Sequence, residues 1–188
     1  AVGDEEEMPW GRRVLRFLHT LGHATHHICI YDTGSNGVFT GDAFGLALGE
    51  STRPGPSFFV ATTAPTDFDP LEARRTAHRI ENTGADWVFL PHFGVHGDVP
   101  GCAKKLLHAI DQMDEILHAA ETVPADRLAA FCLDRMNAAF DAQLRWCGVS
   151  DFEYDRLWLH TDAVINAQGI AYLVRKRRNA VGTPPSEK

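Results

Sequence analysis

The chain has 188 residues, 44% hydrophobic and 23% charged, which excludes wholesale disorder and fibrous repeats and suits one globular core. Its formal net charge is -7, and the one dense basic run, Arg175-Lys176-Arg177-Arg178, reads as a helix C-terminus complementing the macrodipole rather than a nucleic-acid surface. Four cysteines without a CxxC pair suggest reduced thiols in a cytoplasmic setting, and no apolar run reaches the roughly 20 residues that span a bilayer, so nucleic acid and membrane are not expected partners.

The start, Ala1 to Glu7, is acidic, lacks Met and reads as a loop or a cut end. Short β-rich runs follow at Val14 to His19, His27 to Tyr31 and Val38 to Thr40, separated by turn residues. Asn36-Gly37 favours the positive φ angles of a tight turn, so the second and third runs are predicted to lie antiparallel. Residues 45–66, rich in Gly, Pro, Ser and Thr, read as a long loop. Asp69-Pro70-Leu71-Glu72 predicts a capped helix start, with the helix reaching about Asn82 and Gly84 beyond it. Trp87 to Leu90 is then a short buried strand that delivers Pro91-His92-Phe93-Gly94 into a loop, giving a β-α-β-like order.

Near residue 99 the period becomes helical. Leu106, Ile110, Met113 and Leu117 form one apolar stripe, and Leu128, Cys132, Met136, Phe140 and Leu144 form another. Pro124 separates the two helices, and Gly148 stops the second. Ser150-Asp151-Phe152-Glu153 reads as a capping box for a further helix to about Arg178, with possible breaks at Thr161 or Gly169. The tail from Asn179 to Lys188 is expected to be disordered.

Chemistry concentrates early: of ten histidines, His19, His23, His26 and His27 lie close together between two strands. His23, Asp42 and His92 each leave the end of a different strand, and imidazole nitrogen with carboxylate oxygen suits zinc, iron or manganese. His96 competes with His92 on the same loop.

Thr20 to His27 resembles the Thr-Pro-Gly-His-x-x-Gly-His signature of the metallo-β-lactamase superfamily, which includes the glyoxalase II-like hydrolases, with Leu21 and His26 at the departures. Phe39-Thr40-Gly41-Asp42 matches that family's Phe-Thr-Gly-Asp signature in full, and Phe89-Leu90-Pro91-His92 is similar to its late strand ending in His. The resemblance implies that His23 ligates a first metal, Asp42 bridges two metals and is central to catalysis, His92 ligates the second, and His27 supports the site through hydrogen bonds. It also implies two divalent ions in the intact site, zinc first, with iron or manganese as alternatives, and a small-molecule substrate. The expected reaction is hydrolysis of an ester, thioester, lactone or related bond by metal-activated hydroxide.

The family's principal His-x-His-x-Asp-His signature is absent from these residues. The resemblance therefore implies an α/β fold made of the second half of an αβ/βα sandwich over 1–98, followed by a helical extension over 99–178 and a tail over 179–188. A half-sandwich leaves a sheet face to be covered, so the chain is expected to be a fragment of a longer protein. The cover would be a missing N-terminal half, as a separate chain or segment, or a second copy in a homodimer. Two alternatives stand beside the hydrolase: an iron-dependent oxygenase-like member of the same fold, and a non-catalytic interaction domain.

Overall fold

A computed structural model of the chain describes residues 1–48, 57–63, 67–92, 94–149 and 153–182. Eight strands, β1 (Glu7–Trp10), β2 (Arg13–His19), β3 (Ile28–Asp32), β4 (Gly37–Phe39), β5 (Leu46–Leu48), β6 (Phe58–Val60), β7 (Trp87–Leu90) and β8 (Gly94–His96), are accompanied by four helices. The helices are α1 (Pro70–Glu81), α2 (Val99–Ala120), α3 (Leu128–Trp146) and α4 (Glu153–Gly182). Six strands form one sheet in the order β1-β2-β3-β4-β7-β8, while β5 and β6 make a separate ribbon. The architecture is α/β, as the resemblance implies.

β4 and β7 are parallel neighbours, with Val38 opposite Val88, and α1 lies between them in sequence, which completes the anticipated β-α-β unit. Asp69 caps α1 as expected: its Oδ1 accepts from the N–H groups of Leu71 at 2.9 Å and Glu72 at 3.1 Å, and Pro70 occupies the first turn. The apolar stripes of α2 and α3 are buried throughout, with Leu106, Ile110 and Leu117 facing the same core as Leu128, Met136 and Leu144. Gln143 ties that layer to the ribbon, because its buried amide donates to the carbonyls of Phe59 at 2.9 Å and Lys105 at 2.8 Å.

Four expectations need correction. The stretch read as a loop over 45–66 contains β5 and β6, whose residues Leu46 to Leu48 and Phe58 to Val60 are all buried: continuous apolar runs three residues long are too short to stand out among Gly, Pro and Ser. The β3–β4 hairpin is antiparallel, but Gly37 pairs with Asp32, so Thr33 to Asn36 form a four-residue loop in which Asn36 alone takes positive φ. β8 stands where loop was read, and β1 starts at Glu7, the last residue of the stretch read as a loop or cut end; each is anchored by pairing to a longer neighbour rather than by its own pattern. Finally, α4 is unbroken at Thr161 and Gly169 and continues to Gly182. The capping box at 150–152, residues 183–188 and Phe93 lie outside the described residues.

Candidate metal centre

Strand direction brings the candidate residues to one edge. β4 and β7 run parallel, so Asp42 after one and His92 after the other emerge from the same end of the sheet. β2 and β3 are antiparallel, with His19 opposite Ile28, so the loop joining them, which carries His23 and His27, sits at that edge too.

That loop is clamped by α1. The Asp69 N–H donates to the Gly22 carbonyl at 2.8 Å, and Thr76 Oγ1 donates to the Leu21 carbonyl at 2.7 Å. Gly22 has φ 111°, and an added Cβ would stand 2.3 Å from the Ala73 nitrogen, so only glycine allows the helix to press this close. The glycine immediately before His23 therefore fixes where the imidazole starts.

The structure brings all three candidate ligands together. His23 Nε2 is 3.8 Å from Asp42 Oδ2, and His92 Nε2 is 3.6 Å from Asp42 Oδ1. The carboxylate thus lies between two rings, with a different oxygen facing each. Side-chain exposure rises from 17% for His23 through 40% for Asp42 to 59% for His92, so the cluster is most open to solvent at His92. Among the described residues, no group of three His, Cys, Asp or Glu side chains converges on a single point suited to a metal ion.

Neighbours hold the donors in place. Nδ1 of His23 lies 3.1 Å from the Thr62 carbonyl and 3.0 Å from Thr62 Oγ1, and that hydroxyl donates to the Asp42 carbonyl at 3.1 Å. Because a carbonyl only accepts and the hydroxyl proton is committed to Asp42, the proton of the neutral ring sits on Nδ1. Nε2 is left with its lone pair facing the Asp42 carboxylate.

His27 is tied to the start of the same loop. Its Nδ1 is 2.9 Å from Thr20 Oγ1, which also contacts the buried Cys29 thiol at 3.2 Å. Burial lowers the His27 pKa below 6.5, and the adjacent His23 adds to the effect against the opposing pull of Asp42, so the ring is neutral near pH 7. Burial pushes the Cys29 thiol up to about 12, which makes it an inert packing group. His96, the competitor for His92, is 4% exposed and lies edge-on to Phe59 at 5.1 Å, inside the core and opposite Val88. His26 is exposed.

Sequence reasoning missed Thr62 and the contribution of α4. Asp162 on that helix is raised above the ordinary aspartate value by burial, with His92 pulling the other way, so α4 stands within electrostatic reach of the site. No local pattern marks either residue, since Thr62 meets His23 across 39 positions of sequence.

Comparison with known proteins follows the same lines. The family model of the metallo-beta-lactamase superfamily matches residues 2–118. A metallo-beta-lactamase family protein from Thermus thermophilus is 22% identical with a TM-score of 0.53, covering 95% of this chain and 49% of its own. An archaeal metallo-beta-lactamase superfamily protein from Sulfolobus tokodaii is 21% identical with a TM-score of 0.47, covering 79% of this chain and 51% of its own. ETHE1 from Myxococcus xanthus is 20% identical with a TM-score of 0.43, covering 79% and 60%. At these identities the first of them shares the fold. The chain spans about half the length of that structure, with 49% covered. No curated protein matches the sequence. Among the described residues, no helix is long and apolar enough to cross a membrane.

Proposed function

The chain belongs to the metallo-β-lactamase superfamily, whose members are mostly enzymes and typically bind divalent metals, and from that premise we propose that it supplies one side of a two-ion hydrolase site. In this reading His23 ligates one ion, Asp42 bridges, and His92 ligates the other. The observation that carries it is the Asp42 carboxylate, whose two oxygens face two different imidazoles at 3.8 and 3.6 Å.

The donor chemistry fits: neutral imidazoles and a carboxylate suit zinc first, and iron or manganese also. A carboxylate with a different imidazole near each oxygen fits part of a two-ion centre, and the remaining ligands come, in this proposal, from an N-terminal half present as another segment or chain, or from a second copy. Divalent ions held there would supply Lewis acidity and make a coordinated water acidic enough to act as a nucleophile near neutral pH. The chain's own residues prepare for that. Thr62 keeps the His23 proton on Nδ1 and so presents Nε2 as the free donor, which is how a backbone carbonyl commonly orients a metal-binding histidine. The half-exposed Asp42 leaves room beside His92 for an ester, thioester or lactone carbonyl.

The test is metal analysis of the full-length protein with its Asp42→Ala and His96→Ala variants, together with hydrolysis of an ester, thioester and lactone panel. Two ions per site, retained in His96→Ala and lost with activity in Asp42→Ala, is the expected result. One iron per chain with oxygen consumption on sulfur substrates would instead select the oxygenase, and equal metal content in both variants would overturn the assignment.

A further inference from the structure

The strand-exit segment that holds His23 is itself held by α4. Asn166, 2% exposed, faces residues 61–63 with both ends of its amide. Its Oδ1 accepts from the Thr63 N–H at 2.8 Å and from Thr63 Oγ1 at 3.0 Å, and its Nδ2 donates to the Ala61 carbonyl at 3.2 Å. The orientation of the amide is forced, because the Thr63 N–H can only donate and the Ala61 carbonyl can only accept. These bonds grip the residues on either side of Thr62. One turn further along the helix, Gly169 is so close to the segment that an added Cβ would stand 2.4 Å from Thr63 Oγ1 and 2.9 Å from Thr63 Cβ.

Asn166 and Gly169 therefore form a notch on α4 into which residues 61–63 fit. Between the two gripped residues, Thr62 turns its carbonyl and hydroxyl to His23 Nδ1, and the hydroxyl donates a hydrogen bond to the Asp42 carbonyl. We propose that the Asn166–Gly169 notch is a positioning device for the metal site: by fixing Thr62 it sets the tautomer and orientation of His23. The helical region then serves the site from more than 100 residues away in sequence, as the 103-position separation of Asn166 and Thr63 shows. The proposal deepens the two-ion reading above and rests on it for the consequence to metal binding, but not for the geometry.

A purely structural role and a positioning role differ in what they move. If Asn166 merely ties α4 down, its loss lowers the melting temperature and leaves the His23 ring as it was. If it positions Thr62, its loss frees the ring to take both tautomers and weakens the metal. The experiment uses the metal-free full chain, labelled with nitrogen-15, and reads the His23 Nδ1 and Nε2 signals by long-range proton–nitrogen correlation, followed by titration with zinc alone.

The wild-type ring is expected to be protonated on Nδ1. Asn166→Leu, which keeps the branch at Cγ and removes all three bonds, and Gly169→Ala, which pushes the helix off Thr63 while raising helix propensity, should both mix the tautomers and weaken zinc binding about 10–100-fold, the size usual for loss of a ligand-orienting contact. Asn166→Asp keeps the acceptor facing Thr63 but sets an oxygen against the Ala61 carbonyl, so it should restore only part of the Nδ1–H signal. Should Asn166→Leu fail to fold, Gly169→Ala carries the test. Tautomer mixing without any change in zinc affinity would confirm the positioning and refute His23 as a ligand. Folded variants with the wild-type tautomer and wild-type zinc affinity would overturn the proposal itself.

Discussion

On one face of the six-stranded sheet Leu18, Cys29, Val38 and Val88 are at most 1% exposed, whereas on the other Phe39 is 49%, Trp87 45% and Val95 56% exposed. Both faces are apolar. Pairing puts Phe17, Ile30, Phe39, Phe89 and Val95 in one row across five strands, and Met8, Trp10, Ile28 and Trp87 extend that row into a patch on the same side. Of its apolar side chains only Phe17 is buried. A sheet that meets water on one side alternates apolar with polar residues, and strands apolar on both sides belong to sheets covered on both. The inner face is finished by the helices. The outer face has the chemistry of a surface awaiting another layer, which matches a chain spanning half of its solved relative.

The comparison can be broken by paired truncations. Leu18→Ala on the inner face should cost about 2–5 kcal/mol in urea denaturation of the chain, since the methyl groups leave a cavity. Phe39→Ala on the outer face should stay within about 0.5 kcal/mol, as for an ordinary surface change. Equal costs would mean that the outer face is already covered. In the protein with its complementary layer present, Phe39→Ala should rise to about 3–5 kcal/mol, the range for a buried aromatic ring.

A smaller effect sharpens the inner side. Gln143→Leu strands the Phe59 and Lys105 carbonyls in the core, and should cost about 1–3 kcal/mol, seen as a lower denaturation midpoint with an unchanged slope. A cost near zero would show that water reaches these carbonyls and that the layer under the ribbon is looser than its packing suggests.

The smallest effect is a matter of pH and lies at the hairpin. Burial alone would raise the Asp32 carboxyl, but the Gly34 N–H, Ser35 Oγ and the Arg13 guanidinium, at 2.9, 2.8 and 2.8 Å, hold it below its ordinary 3.8. A depressed native value means that the unfolded chain binds the proton more tightly. The stabilisation is thus fully present above pH 3.8 and disappears as pH falls through the lower native value. Asp32→Asn should flatten the loss of stability below that pH because it removes a stabilisation the wild type holds at neutrality and loses in acid, so the two proteins differ most near pH 7 and converge on acidification, by a modest amount because Arg13 is half exposed. Parallel acid limbs for the two proteins would contradict this.

The parts of the molecule legible in sequence are those governed by near neighbours. The cap at Asp69, the stripes of α2 and α3 and the stop at Gly148 all depend on residues within two turns, and they stand where the pattern puts them. β5, β6 and β8 are three residues each, below the length at which alternation can be told from chance. The site divides the same way. The proximity of His23, Asp42 and His92 is foreshadowed by short motifs at three strand ends. Thr62 carries no motif, and although Asn166-Ala167-Gln168-Gly169 resembles the end of a bacterial subgroup of these hydrolases with a helical extension, what makes these residues matter is a set of hydrogen bonds across 39 to 105 positions, which only the folded chain reveals.

The central claim is that Asp42 stands between two ions, one on the His23 side and one on the His92 side. Anomalous scattering at the zinc edge, from crystals of the full-length protein grown with zinc, tests it directly. The account predicts two peaks flanking the Asp42 carboxylate, each at about 2.0–2.2 Å from one of its oxygens and from the imidazole that faces it. Zinc bound elsewhere, with Asp42 touching no ion, would contradict it.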